Sequence, residues 1–287
     1  MNYKSLLKLM RPKHYLKNSL IFLPLIFSGL LFDSHYFLRS LYSFIAFSML
    51  ASAVYVINDI NDKKEDALHP KKKYRPIASG AVNTLTAVML AIILIVLTII
   101  FQYLADFSVN SLGLLAFYFL INVLYSYGLK NIPIVDVAII SLGFVVRVLY
   151  GGESVGIEVS KWLFLSILAF SFYLALGKRR NEIRTNGIST RKVNRHYNQE
   201  FLDKNMYVCL GLTIAYYSLW AIDPLQEHKL MFWTIPLVIT IVMAYSLAIE
   251  SAESDGDPVS VILGNKHLLA LLVFYGLFIT GLVYINV

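Results

Sequence analysis

Nine apolar runs, each about as long as the 17–20 residues a helix needs to cross hydrocarbon, constrain this chain more than any other feature. They lie near 15–32, 38–57, 84–104, 107–127, 132–150, 160–176, 205–222, 231–249 and 267–286. Such runs need a solvent other than water, and the composition agrees. Hydrophobic residues make up 57% of the 287 and charged residues only 15%, against roughly 25% charged in a soluble domain. The mean hydropathy is +0.64. The expected fold is therefore all-α and integral to the bilayer, with nine transmembrane helices and residues 1–287 as one polytopic membrane domain. The first run is the least regular, because Pro24 interrupts it and residues 3–12 could lie along the interface. Cys209 is the single cysteine, so no internal disulfide can form.

Charge sorts the connections into two sets. One holds Lys4 to Lys17, Lys63 to Arg75, Lys130, Lys178 to Lys204, and Lys266; the other holds only Arg39, Lys161 and Lys229. Basic residues concentrate on the cytoplasmic side of membrane proteins. The N-terminus and the active-site loops are thus expected in the cytoplasm and the C-terminus outside. The net charge of +7 also suits anionic lipid, and no nucleic-acid partner is expected.

The strongest chemical signal is Asn58-Asp59-Ile60-Asn61-Asp62-Lys63-Lys64-Glu65-Asp66, at the cytoplasmic end of the second run. Continued as a helix, it brings Asp59, Asp62 and Asp66 within about 60° of one another, with Asn58 beside them. Three stacked carboxylates repel unless a cation sits among them. Hard oxygen ligands suit Mg²⁺, with Mn²⁺ as the alternative. The bland reading is a solvated helix end neutralised by Lys63 and Lys64, but charge beside a long apolar run is costly.

His69-Pro70-Lys71-Lys72-Lys73-Tyr74-Arg75-Pro76 follows directly. Its prolines favour a loop, in which Lys72, Lys73 and Arg75 could clamp phosphate oxygens. Gly177-Lys178-Arg179-Arg180-Asn181-Glu182 ends the sixth run. Lys178, Arg179 and Glu182 could add phosphate contacts and a carboxylate there, or Lys178 and Glu182 could pair as neighbours on a helix. Lys17, Asn18, Lys130 and Asp136 occupy other cytoplasmic span ends, where each alone is more often an interfacial anchor. Asp255-Gly256-Asp257-Pro258 reads as a turn. Arg147 lies deep in the fifth run and needs a polar interior or a partner. None of the six histidines has ligand-like spacing to another, and no nucleophile–His–acid pattern is present. A transporter would carry repeated halves and midplane charges; here only Arg147 is deep.

At the acidic run and its basic tail the sequence resembles the UbiA-type intramembrane prenyltransferase superfamily. Those proteins carry N-D-x-x-D-x-x-x-D after the second of nine membrane helices, and Asn58, Asp59, Asp62 and Asp66 match it in full. The resemblance implies a UbiA-like helical bundle with a cytoplasm-facing polar cavity. It departs where prenyltransferases usually carry a second acidic motif, since Gly177 to Glu182 stands there. This departure, with Arg11-Pro12, Lys17-Asn18, His69 to Gly80 and Ser254 to Pro258, is similar to the decaprenyl-phosphate phosphoribosyltransferase branch. The branch implies transfer of a 5-phosphoribosyl group from phosphoribosyl pyrophosphate to a polyprenyl phosphate, with Mg²⁺ at Asp59, Asp62 and Asp66. The alternative is a prenyltransferase moving a prenyl chain from its diphosphate to a polar or aromatic acceptor. A homo-oligomer is compatible with either.

Overall fold

The computed structural model describes residues 3–69, 72–186, 192–223, 229–251 and 256–284, and among these the chain is helical and without strands. It divides into two compact units. The first comprises residues 1–25, 31–130 and 146–157, and the second residues 26–30, 131–145 and 158–287.

The first unit opens with α1 (Tyr3–Met10), then a 3₁₀ segment over Pro12–Phe22 leading into α2 (Leu23–Phe27). Long helices follow: α3 (Ser34–Asn61), α5 (Thr84–Ala105) and α6 (Val109–Tyr127), with the short α4 (Lys63–Leu68) after α3. The second half of α7 (Val135–Val155) belongs here too. Side-chain caps start each long helix. Asp33, Asn83 and Ser108 accept from the backbone N–H groups of His35, Thr86 and Ser111, meeting donors the helix leaves open. On α5, Ala87, Ala91, Leu94, Thr98 and Gln102 are buried at helical spacing, whereas Ile92, Ile93, Val96, Ile99 and Ile100 are exposed. A stripe of small residues against an apolar outer face is what packing inside lipid requires. α3 carries the other side of that contact, where Ala53 and Val56 join Ala87, Ala91 and Leu94 in one buried cluster.

Ion pairs and hydrogen bonds fix the direction of these helices. Arg39 near the start of α3 meets Asp106 beyond the end of α5 at 2.5 Å. At the opposite end of α3, Asn61 donates to the carbonyl of Ser126, the penultimate residue of α6. The described basic residues of 58–75 and Lys130 therefore gather at one end of this unit, away from Arg39. The 3₁₀ segment presses on α7 at Gly151, where a Cβ would meet the Ile21 carbonyl oxygen at 2.1 Å; only glycine allows that approach. The inner core of the unit is built from Ile21, Phe47, Leu50, Tyr118, Val146 and Tyr150.

The second unit contains α8 (Lys161–Asn186), α9 (Gln199–Ala221), α10 (Ile235–Glu250), α11 (Pro258–Gly264) and α12 (Lys266–Tyr284). α8 and α9 pack along much of their length, and Tyr217, Trp220, Met231, Ile279 and Val283 form a core with Leu163. The Tyr217 hydroxyl, buried here, is met by Thr234 and Tyr275.

Seven helices among the described residues are long and apolar enough to cross a membrane. Seven of the nine expected spans coincide with them. The expected span 15–32 is instead the 3₁₀ segment and α2, broken where Pro12 and Pro24 remove backbone donors. The expected span 205–222 falls on α9 and its C-cap Ile222, a helix of 23 residues whose polar first turns dilute its hydropathy.

Candidate active site

The acidic run does not continue as one helix. α3 ends at Asn61, and Asp62 (φ −85°, ψ 4°) joins it to α4. This break corrects the expectation that three carboxylates share one face. Asp59 and Asp66 converge, while Asp62 turns to Lys130 at 2.5 Å. Among the described residues no group of three or more His, Cys, Asp or Glu side chains comes together as metal ligands. Asn58 accepts from the Ser126 hydroxyl at 3.0 Å, so its carbonyl oxygen binds α3 to α6.

Asp59 and Asp66 are 2% and 3% exposed and share one cation. Arg75 Nη1 donates to Asp66 Oδ2 at 2.7 Å and to Asp59 Oδ1 at 3.0 Å. The loop that carries Arg75 is anchored by Ile77, which is fully buried between α3 and α5 residues. Arg11 donates to the same Asp59 oxygen at 2.5 Å, from a backbone in the left-handed region (φ 56°). Lys72 Nζ stands 4.0 Å from Asp66. Lys73 is exposed and lies over the Tyr74 ring. Lys17 is half-buried, and its neighbour Asn18 is buried against Ser48. Arg11 was legible only as part of the family likeness; its partner is 48 residues away in sequence.

The donor set fits a divalent cation. Asp59 and Asp66 offer hard oxygens, both nearly sealed from water, and one positively charged nitrogen already bridges them.

Arg147 does have partners in the first unit. Its Nε donates to Asn18 Oδ1 at 2.8 Å, its Nη2 donates to the Tyr118 hydroxyl, and the guanidinium lies over the Phe47 and Tyr118 rings. A cation deep among helices is thereby held by hydrogen bonds and ring faces.

The second unit has its own charged cluster at the end of α8. Arg179 and Asp136 are fully buried, and Arg179 Nε donates to Asp136 Oδ2 at 2.6 Å. Arg179 also pairs with Glu182 one turn on. The Tyr197 hydroxyl donates to Asp136 Oδ1 and accepts from the Ile134 N–H, both at 2.6 Å. Burial, and then the bond to Asp136, push the Tyr197 phenol above its ordinary range. Arg179, expected to contact phosphate, faces two carboxylates and is sealed from solvent in this structure. Lys178, one residue earlier and half-buried, points to Asp257 at 3.7 Å. Asp257 caps α11 by accepting from the Val259 N–H. Gly256 (φ +74°) lies so close to α8 that a Cβ would be 2.8 Å from Lys178 Cα. The turn around Gly256 and the Gly177 run thus form one packed cluster; Asp255 lies outside the described residues.

Fold and site together define an integral, multi-pass helical membrane protein whose polar chemistry gathers at helix ends. The chain belongs to the UbiA prenyltransferase family, whose model matches residues 22–260. It is similar to the decaprenyl-phosphate phosphoribosyltransferase of Corynebacterium glutamicum, at 31% identity over 98% of this chain and 87% of that protein. The protein of that name from Mycolicibacterium smegmatis is 30% identical, over 93% of this chain and 88% of its own. In fold the chain is similar to a UbiA homolog from Archaeoglobus fulgidus bound to GPP and Mg²⁺. The TM-score is 0.74, with 18% identity, 96% of this chain and 99% of that chain covered.

Proposed function

We propose that this chain transfers a 5-phosphoribosyl group from phosphoribosyl pyrophosphate to a polyprenyl phosphate and releases pyrophosphate. The observation that carries the proposal is the nearly full-length likeness to proteins named for that transfer, joined to the charge pattern. One acidic pair stands within a set of basic side chains, and the end of α8 offers Lys178 where a prenyltransferase would be expected to carry more acid.

Asp59 and Asp66 would hold Mg²⁺, with Asn58 and Asp62 oriented beside them by Ser126 and Lys130. When bound, the ion would supply Lewis-acid neutralisation of charge on the departing pyrophosphate. Arg75, Lys72 and Lys73 would grip the donor's diphosphate oxygens, Arg75 in a bidentate manner. Lys178 would meet the donor's 5-phosphate, and Lys17 the lipid phosphate. Ribosyl C1 loses its bond to the pyrophosphate oxygen and gains one to an oxygen of the lipid phosphate. That oxygen is already anionic at neutral pH, so no general base is needed. Positioning and fixed charge would carry most of the rate, and histidine is not required.

The nine-span reading supplies the orientation. The 3₁₀ segment of 11 residues and α2 of 5 together extend roughly 30 Å, enough to cross the hydrocarbon although too irregular to register as an apolar α-helix. With α9 this gives nine crossings, with the basic loops inside and residue 284 outside. In a Cys209→Ala background, an impermeant thiol reagent should reach Phe107→Cys from outside and leave Ala67→Cys unlabelled.

The deciding experiment incubates membranes containing the protein with radiolabelled phosphoribosyl pyrophosphate and polyprenyl phosphate. Label should enter the organic phase. If the protein ignores this donor and consumes a prenyl diphosphate, the prenyltransferase reading replaces the proposal.

A further inference from the structure

Each aspartate of the acidic run is matched by basic side chains before any metal is considered. Asp59 takes Arg11 and Arg75, Asp66 takes Arg75 with Lys72 at longer range, and Asp62 takes Lys130. Three negative charges thus stand among four positive ones, all within the first unit. Adding a divalent cation to this set would place it against charge that is already neutralised. A divalent cation held by Asp59 and Asp66 would compete with the Arg75 guanidinium for the same two carboxylates.

We infer that Arg75 is a built-in stand-in for the metal: it bridges Asp59 and Asp66, leaves them when a divalent cation binds, and is thereby freed to take an anionic diphosphate. This inference rests on the divalent-metal part of the proposed function and not on the identity of the donor.

Three features let Arg75 move. Its side chain is 26% exposed although both acids are nearly sealed. It comes from a loop, flanked by Pro76 and anchored at Ile77, and not from the middle of a span. Arg11 remains on Asp59 when Arg75 departs, so that carboxylate keeps one charged donor. The consequence is coupling. Metal alone must displace an ion pair, whereas metal arriving with a diphosphate gives Arg75 a new anion to hold. By linkage the metal then strengthens diphosphate binding by the same factor.

The test uses the full chain in detergent or nanodiscs with Mn²⁺ alone, read by electron paramagnetic resonance as free against bound ion. Arg75→Gln should bind Mn²⁺ about ten- to a hundredfold more tightly than wild type, the ordinary range for two ligands coupled through one site. Lys64→Gln, which removes an exposed charge on α4, should change the affinity less than about twofold, since exposed charges are screened. An Arg75→Gln affinity equal to or weaker than wild type overturns the inference, and so does an equal gain from Lys64→Gln. A second measurement needs no variant. Phenylglyoxal labelling of Arg75, followed by mass spectrometry, should accelerate several-fold when Mn²⁺ is added, while Arg39, paired to Asp106 at the other end of the unit, stays unchanged. A rate at Arg75 that is constant or slower with Mn²⁺ also overturns it. No donor is present in either experiment, so a wrong donor assignment leaves both results interpretable.

Discussion

Asp59 in the first unit and Asp136 in the second are both aspartates sealed from water near a helix end, and both are held by arginine. Their arginines differ. Arg11 and Arg75 are 21% and 26% exposed and come from the N-terminal segment and a loop. Arg179 is wholly buried, is part of α8, and is held at its other side by Glu182. A cation at the protein–water boundary can exchange one anion for another at small cost. A cation shut inside cannot, because it has no water to fall back on. The first arrangement suits a site that must release and rebind charge, and the second suits a lock between helices of one unit.

The largest expected effect tests the lock. Arg179→Ala strands the Asp136 carboxylate, and breaking a buried pair from one side costs about 3–5 kcal/mol. Arg75→Ala, whose arginine partly reaches solvent and whose loss leaves Arg11 on Asp59, should cost less. Thermal unfolding in detergent compares the two, and equal losses would erase the distinction. Asp136→Leu combined with Arg179→Met should regain much of what Arg179→Ala loses, since apolar replacements avoid desolvating either charge.

Activity should rank the other way. Asp66→Asn keeps shape and hydrogen bonding but removes a carboxylate proposed to hold the metal. Turnover should fall about a hundredfold, or roughly 2.7 kcal/mol in barrier, with little change in unfolding temperature. Asp62→Asn should cost less, because Asp62 is turned to Lys130. Full activity of wild type in excess chelator would sink the metal assignment. Smaller again, Lys178→Ala should raise the apparent KM for phosphoribosyl pyrophosphate about tenfold, the lower end for a charge-assisted contact. Lys178 already faces Asp257, which reduces what a phosphate can gain there. An unchanged KM removes Lys178 from the donor site.

How legible these features were in the sequence follows from how local their causes are. α5 and α12 fall almost where hydropathy puts them, because lipid acts on each run separately. The segment from Pro12 to Phe27 could not be read that way, since two prolines and the close approach at Gly151 decide its form. The acidic run announces itself through density of charge, yet the partner that Asp62 turns to at the break, Lys130, is 68 residues away. Lys178 and Arg179 look alike in a list of basic residues. On a helix they point about 100° apart, one toward Asp257 and the other into the interior, and only packing says which. Tyr197 carried no signal, because nothing in its local sequence reports a bond to Asp136.

Tyr197 gives the smallest effect and the sharpest test of the network around Asp136. Its hydroxyl serves the Ile134 N–H on one side and Asp136 on the other. Ile134 needs that acceptor, since a β-branched residue at φ 69° is strained and stays there only if its surroundings hold it. Tyr197→Phe removes both bonds and should cost about 1 kcal/mol at neutral pH. The pH dependence identifies the cause. Burial, then the bond to Asp136, keep the folded-state phenol protonated above its ordinary range, which lies near about 10. The folded protein therefore holds this proton where the unfolded chain has begun to lose it. The contribution is complete below about pH 10 and fades as pH rises beyond that, since the unfolded chain gains by ionising. Unfolding of wild type and Tyr197→Phe, measured from about pH 7 to about pH 11, should show a gap that is steady at first and then narrows. A gap that stays constant over the whole range would mean that the phenol proton is not what Asp136 holds.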